Sequence, residues 1–180
     1  MNLFKPQTIE SAPAASKPIL ENIKKGFGFI PNLMATFAES PVVLEGYMTL
    51  DTIWNKGTLS PSERQLILLT ASVENNCDYC KAAHSTIAKG MLKVSPEVVK
   101  AIREKSVGPN AKINALVNLT RELVAERGQA SEKTVNAFLE QGYSKPQVME
   151  ILVGISLKTM SNYLDHLSPT PIDEAFRAEA

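Results

Sequence analysis

The chain has 180 residues, 44% hydrophobic and 6% aromatic, and its 19 Lys and Arg residues are matched by 19 Asp and Glu. That length and apolar content suit a single domain around one sizeable core, and the even charge leaves no basic field for nucleic acid or an anionic membrane surface. The N-terminus lacks an apolar signal core, and the purest apolar run, Leu66 to Leu69, is far too short to span a bilayer, so the expected setting is a reducing cytoplasm.

Residues 1–13, with Pro6 and Pro13, read as an N-terminal arm available to pack on a neighbour. Beyond it the punctuation is helical. Ser40-Pro41, Ser60-Pro61, Ser95-Pro96, Ser131-Glu132 and Ser144-Lys145-Pro146-Gln147 are helix starts, and Gly57, Gly90, Gly128 and Gly142 stand where helices end. The spacing predicts helices near 14–26, 41–56, 61–75, 77–90, 96–105, 110–127, 131–141 and 145–165, with no alternating strand between them. The fold class is therefore all-α, with residues 1–180 as one domain.

Across the junction of the third and fourth of these helices runs Glu74-Asn75-Asn76-Cys77-Asp78-Tyr79-Cys80-Lys81-Ala82-Ala83-His84, which holds both cysteines and one of the two histidines. On a helix Cys77, Cys80 and His84 fall within an arc of about 60° and share one face. Two thiols three residues apart can open and close a disulfide with little backbone movement, most easily if Cys77 starts the helix. His84, one turn beyond Cys80, is placed to hydrogen-bond its thiol, take the proton and stabilise the thiolate.

Other uses of the three residues compete with redox chemistry. Buried cysteines serve as small core residues, but a core does not ask for this spacing with a histidine one turn on. A structural disulfide closing so short a loop would contribute only about 2 kcal/mol. Zinc is a serious rival, since Cys77, Cys80 and His84 supply three suitable ligands, although no second CxxC or paired histidine completes the set.

The run Glu74-x-x-Cys77-x-Tyr79-Cys80-x-x-x-His84 resembles the signature of the AhpD-like alkylhydroperoxidases of the carboxymuconolactone decarboxylase superfamily. Gly28-Phe29-Ile30-Pro31-Asn32 supports the likeness. Asn162-Tyr163-x-x-His166-Leu167 followed by Thr170-Pro171-Ile172-Asp173 resembles the peroxidase-related subgroup. The resemblance implies an AhpD-like helical bundle and a cofactor-independent peroxidase. In it Cys80 attacks the hydroperoxide, Cys77 resolves the sulfenic acid into a disulfide and His84 joins a proton relay. It also implies an external dithiol reductant, of protein or lipoyl type, and a homo-oligomer, trimer or hexamer.

One position departs from the family pattern. A glutamate commonly stands twelve residues before the first cysteine; here that residue is Gln65, and an amide does not pass a proton as a carboxylate does. Glu63 and Glu74 are the nearest replacements. Glu63 has a structural use, because Ser60-Pro61-Ser62-Glu63 reads as a capping box, and Glu74 also reads as a solvated helix-end charge. Tyr79 and His166 are further relay or pocket candidates, each with a plainer reading as a packing or surface residue. Phe27, Phe29, Met34, Phe37 and Trp54 read as core or pocket wall.

A weak internal pseudo-repeat accompanies the motif. A shift of 84 residues lays Ser60, Ile67, Leu68, Ser72 and Tyr79 on Ser144, Ile151, Leu152, Ser156 and Tyr163, so the second copy lacks the cysteines and is expected to be scaffold. The functional expectation is a thiol-dependent hydroperoxide reductase or disulfide oxidoreductase. The alternatives are a zinc-binding or redox-sensing module without turnover and a decarboxylase-like enzyme on the same fold.

Overall fold

The computed structural model describes residues 3–180 and shows α-helices joined by short turns, with no strand among the described residues. In chain order the helices are α1 (Lys17–Phe27), α2 (Asn32–Phe37), α3 (Pro41–Trp54), α4 (Pro61–Glu74), α5 (Asp78–Thr86), α6 (Pro96–Arg103), α7 (Ala111–Ala125), α8 (Glu132–Glu140) and α9 (Lys145–Leu167). Short 3₁₀ turns cover Ala14–Ser16 and Glu174–Glu179, and a π turn, Ile87–Met91, continues α5.

The helix starts follow local chemistry. At α4, Ser60 Oγ accepts from the Glu63 amide at 3.2 Å while Glu63 Oε2 accepts from the Ser60 amide at 2.9 Å, so two amides that lack intrahelical partners are satisfied reciprocally. At α9 the Ser144 amide donates to Gln147 Oε1 at 2.8 Å, the returning half of the same box. The helix ends use left-handed residues: Gly28 closes α1 at φ 83°, and Asn76 after α4 adopts φ 55°.

α4 is the central element. Every residue from Gln65 to Val73 is buried, and the helix packs against α5, α7 and α9. Leu66, Leu69 and Val73 face Val99 and Ile102 of α6, while Ile67 and Leu68 join Trp54, Leu116, Phe138 and Leu157. A third cluster gathers Leu20, Ile23, Leu33, Phe37 and Leu44 around Cys77, Tyr79 and Cys80. α9 comes close to α3 and α4 at Gly154, where a Cβ would lie 2.9 Å from the Trp54 ring and 3.1 Å from Ile67.

Two outcomes differ from the sequence reading. The segment 32–37, where no helix is predicted, is helical, and residues 77–90 do not form one uninterrupted α-helix, because the last turn widens into the π turn. Residues 3–13 of the expected arm lie along their own chain: the Phe4 amide donates to Ser168 Oγ at 2.9 Å, the Gln7 amide to the Ala35 carbonyl at 3.0 Å, and Ala12 is buried. Residues 1–2 of that arm lie outside the described residues. No helix is long and apolar enough to cross a membrane among the described residues.

Candidate functional site

The α4–α5 corner sets the thiols. After α4 the Asn76 amide bonds the Val73 carbonyl at 3.1 Å and the Cys77 amide bonds the Ser72 carbonyl at 3.0 Å, the two closing bonds of a Schellman turn with Asn76 in the left-handed position. The chain leaves this turn extended, and Cys77 becomes the N-cap of α5, its Sγ accepting from the Cys80 amide at 3.4 Å. Asn75-Asn76-Cys77 is thus a stop and a start in three residues. It places Cys80 on the first turn of α5, where unpaired amides and the helix dipole favour an anion.

Both cysteines are free thiols, 0% and 1% exposed. α9 crosses behind them and supplies two charged side chains that sequence reasoning missed. The Cys77 thiol donates to Asp165 Oδ2 at 3.4 Å, and Asp165 Oδ1 accepts from the Thr170 amide at 2.9 Å. Lys158, 1% exposed, brings its Nζ to 2.8 Å from His84 Nε2. Lys158 and Asp165 are two turns apart and share one face of α9. The second pseudo-repeat is therefore not the passive scaffold expected of it. The shift of 84 residues that defines the repeat lays Lys158 on Glu74, and that is the one sequence signal that touches it.

These charges divide the two thiols. Burial works to raise the Cys80 pKa, but the neighbouring Cys77 thiol and the Lys158 ammonium prevail and bring it down to about 6. Cys77 moves the other way: its close neighbour Cys80, burial and the Asp165 charge all push its thiol well above the ordinary range. Lys158 is held charged against its own burial by Cys80, Tyr47 and Cys77. His84 is held neutral, first by burial and then by Lys158. Lys158, which the sequence reading did not include, thus favours the Cys80 thiolate from beside His84.

Both His84 ring nitrogens are engaged. Gln65, 8% exposed, brings Nε2 to 2.8 Å from Nδ1 and also donates to the His84 carbonyl at 3.1 Å. A neutral imidazole has one donor and one acceptor. With the amide nitrogen against Nδ1, the ring proton sits on Nε2 and is donated to a Lys158 amine. With Lys158 as an ammonium, Nε2 accepts and Nδ1–H meets the amide oxygen instead. An amide matches the second only by turning its oxygen to Nδ1 and giving up its bond to the His84 carbonyl; a carboxylate matches only the second.

A pocket of about 320 Å³ opens on this group. Cys80, His84, Lys158 and Gln65 form its polar end, and Ile23, Met34, Met48, Trp54, Leu68 and Phe176 contribute apolar wall. Tyr79 also lines it, with its hydroxyl donating to Asp173 Oδ2 at 2.6 Å. The same carboxylate accepts from the Asn32 amide at 3.1 Å, and Asn32 Nδ2 donates to the Pro171 carbonyl at 2.9 Å. The two flanking sequence pieces, 28–32 and 170–173, therefore meet over the thiol helix.

The remaining candidates lie elsewhere. Glu63 accepts from the Tyr143 hydroxyl at 2.8 Å besides forming its cap, and Glu74 binds Arg121 and Lys105, each at 2.8 Å. His166 is exposed beside the Tyr163 ring. Among the described residues no three His, Cys, Asp or Glu side chains converge as a metal site, and the zinc alternative would have to displace Lys158 from His84 Nε2.

Residues 41–122, α3 to α7, match the carboxymuconolactone decarboxylase family. Among curated proteins none matches the chain. Among solved structures, an uncharacterized peroxidase-related protein from Ralstonia eutropha with an alkylhydroperoxidase AhpD core is 19% identical with a TM-score of 0.84, covering 96% of this chain and 93% of its own. The debrominase Bmp8 is 20% identical with a TM-score of 0.82, covering 99% and 96%, and its Cys-to-Ala variant has been solved with 2,3,4-tribromopyrrole. A peroxidase-related protein from a Silicibacter species is 14% identical with a TM-score of 0.83, again covering 99% and 96%. The helices that build the thiol corner thus match the carboxymuconolactone decarboxylase family model, and the chain has the AhpD-like fold.

Proposed function

We propose that this chain is a thiol-dependent hydroperoxide reductase that cycles Cys77 and Cys80 between dithiol and disulfide. The observation that carries the reading is the asymmetry of the pair: Cys80 ionises at about 6 at the floor of an apolar pocket, and Cys77, three residues back, stays protonated. The Cys80 thiolate attacks the terminal peroxide oxygen, the alcohol leaves and a sulfenic acid remains. Cys77 attacks that sulfur, water leaves and the disulfide closes. An external dithiol then reduces the disulfide by exchange and carries away the two electrons.

The decisive experiment is mass spectrometry of the reduced protein before and after one equivalent of cumene hydroperoxide. The expected product has lost two hydrogens within the Cys77–Cys80 peptide, is restored by dithiothreitol, and appears with one equivalent of cumyl alcohol. Hydroperoxide that survives in the presence of reduced protein would refute the reading.

A second substrate class is favoured by the apolar wall and by the likeness to Bmp8. A thiolate can take bromine from an electron-rich ring while a proton replaces it on carbon, and Cys77 then displaces bromide as the disulfide forms. Bromide released per disulfide from a polybrominated pyrrole, set against alcohol released from hydroperoxide, ranks the two. The proposal extends to a homo-oligomer, trimer or hexamer, in the cytoplasm; exposed Val42 and Ile53 on α3 and Met149 and Leu152 on α9 support an apolar contact face, and light scattering measures its order.

A further inference from the structure

Lys158 is buried without a carboxylate within ion-pairing distance among the described residues. The titratable groups facing it are Cys80, Cys77 and His84 from α5 and Tyr47 and Asp51 from α3, with Asp165 of its own helix beyond Cys77 and neutral Gln65 beyond His84. The anion that pairs with its ammonium is thus the Cys80 thiolate, and that thiolate is consumed in the first step of turnover. A buried ammonium that loses its only close anion sheds its proton.

Resting on the dithiol reading above, we propose that Lys158 is the general acid of the peroxide step, giving its proton to the alkoxide that leaves the substrate and recovering one when the dithiol is restored. The cycle balances. The Cys80 thiolate, the Lys158 ammonium and ROOH give Cys80 sulfenic acid, the Lys158 amine and ROH. The Cys77 thiol and the sulfenic acid give the disulfide and water. A dithiol reductant regenerates both thiols, and the Cys80 thiol then returns its proton to the Lys158 amine. His84 has a matching tautomer for each state of Lys158, donating from Nε2 to the amine and accepting there from the ammonium.

The test separates supplying a proton from merely holding a thiolate. Single-turnover oxidation is followed in wild type, Lys158→Met and Lys158→Arg, each at a pH above its own Cys80 pKa as found by alkylation. Cumene hydroperoxide releases an alkoxide that needs a proton; peracetic acid releases acetate that does not. Lys158→Met is expected to slow the first by about 100-fold or more and the second by only a few-fold. Arginine keeps the charge but does not surrender a proton, so Lys158→Arg is expected to restore the low Cys80 pKa without restoring the rate with cumene hydroperoxide. Equal losses with both oxidants, no loss with either, or rescue by arginine would each overturn the assignment.

A measurement on wild type alone guards against variants that misfold. Oxidation in weak buffer should take up no net proton per disulfide, whereas a Lys158 that keeps its proton forces uptake of one. If wild type forms no disulfide and consumes no hydroperoxide, the dithiol reading fails and takes the role of Lys158 with it; disulfide formation with one proton taken up overturns the role of Lys158 alone.

Discussion

The Cys77 thiol donates to Asp165 Oδ2 at 3.4 Å, across 88 residues of sequence and from one helix to another. The carboxylate faces the thiol that must lose its proton only after Cys80 has been oxidised. Asp165→Asn keeps the hydrogen bond from Thr170 and removes the proton acceptor. It is expected to leave the first oxidation within about three-fold of wild type and to slow disulfide closure by about 100-fold. A dimedone probe should then trap sulfenic acid on Cys80; rapid closure in Asp165→Asn would show that another group accepts the Cys77 proton.

The order of the thiols is tested with serine variants. Cys80→Ser is expected to abolish hydroperoxide consumption, and Cys77→Ser to leave a trappable sulfenic acid on Cys80. Labelling of Cys77 at the wild-type rate in Cys80→Ser would reverse the order.

Ionisation of Cys80 also couples to stability. Its folded pKa, about 6, lies below the unfolded value of about 8.5, so this contribution is fully present above about pH 8.5 and is lost as pH falls through about 6. Lys158 has the opposite sign: its folded pKa is raised, so its contribution is full below the unfolded value and is lost as pH rises through the folded one. Between pH 8.5 and 6 the Tm of reduced wild type should fall more than that of Cys80→Ser. Parallel melting curves would remove the thiolate from the stability of the fold.

His84 and Gln65 are tested together. His84→Gln is expected to leave the Cys80 alkylation pKa within about half a unit of wild type, because Lys158 rather than the imidazole holds the thiolate; a return to about 8.5 would restore the thiolate-stabilising role to His84. Gln65→Glu sets a buried carboxylate against Nδ1 and should raise the His84 pKa by about one unit or more, read from its ring nitrogen shifts by NMR. An unmoved His84 would place the new carboxylate away from the ring.

Two substitutions separate scaffold from site. Glu63→Ala removes half of the α4 capping box and the partner of Tyr143, and should cost about 1–2 kcal/mol in chemical denaturation while sparing turnover per folded molecule. Gly154→Ala drives a methyl against the Trp54 ring and Ile67, both buried, and should cost about 1–3 kcal/mol. Gly154 lies one turn before Lys158, so that variant is also expected to raise the Cys80 alkylation pKa, whereas Glu63→Ala is not.

The helices with serine and proline at their starts were legible because capping is local: Pro41, Pro61 and Pro96 open α3, α4 and α6 where the residues say they should. α2 was not, since its six residues carry no cap and owe their helicity to burial of Leu33, Ala35 and Phe37. The spacing of Cys77, Cys80 and His84 likewise put them on successive turns of one helix end. Lys158 could not be read in this way. A lysine within a long helix reads as solvent-facing, and only the docking of α9 against the α4–α5 corner turns it inward. Asp165 escaped notice for the same reason, and Gln65 was noticed for what it lacks rather than for the two-sided amide it offers.

The distance along the chain between the thiols and their charges has a consequence for synthesis. Cys77 and Cys80 leave the ribosome well before Lys158 and Asp165, and Phe176, which walls the pocket, follows later still. Until α9 docks, the motif is an ordinary pair of cysteines, each with a pKa of about 8.5 and mostly protonated at neutral pH. Its nucleophilicity thus depends on α9 being in place, and a nascent or unfolded chain is spared the thiolate that would make it prone to mispairing.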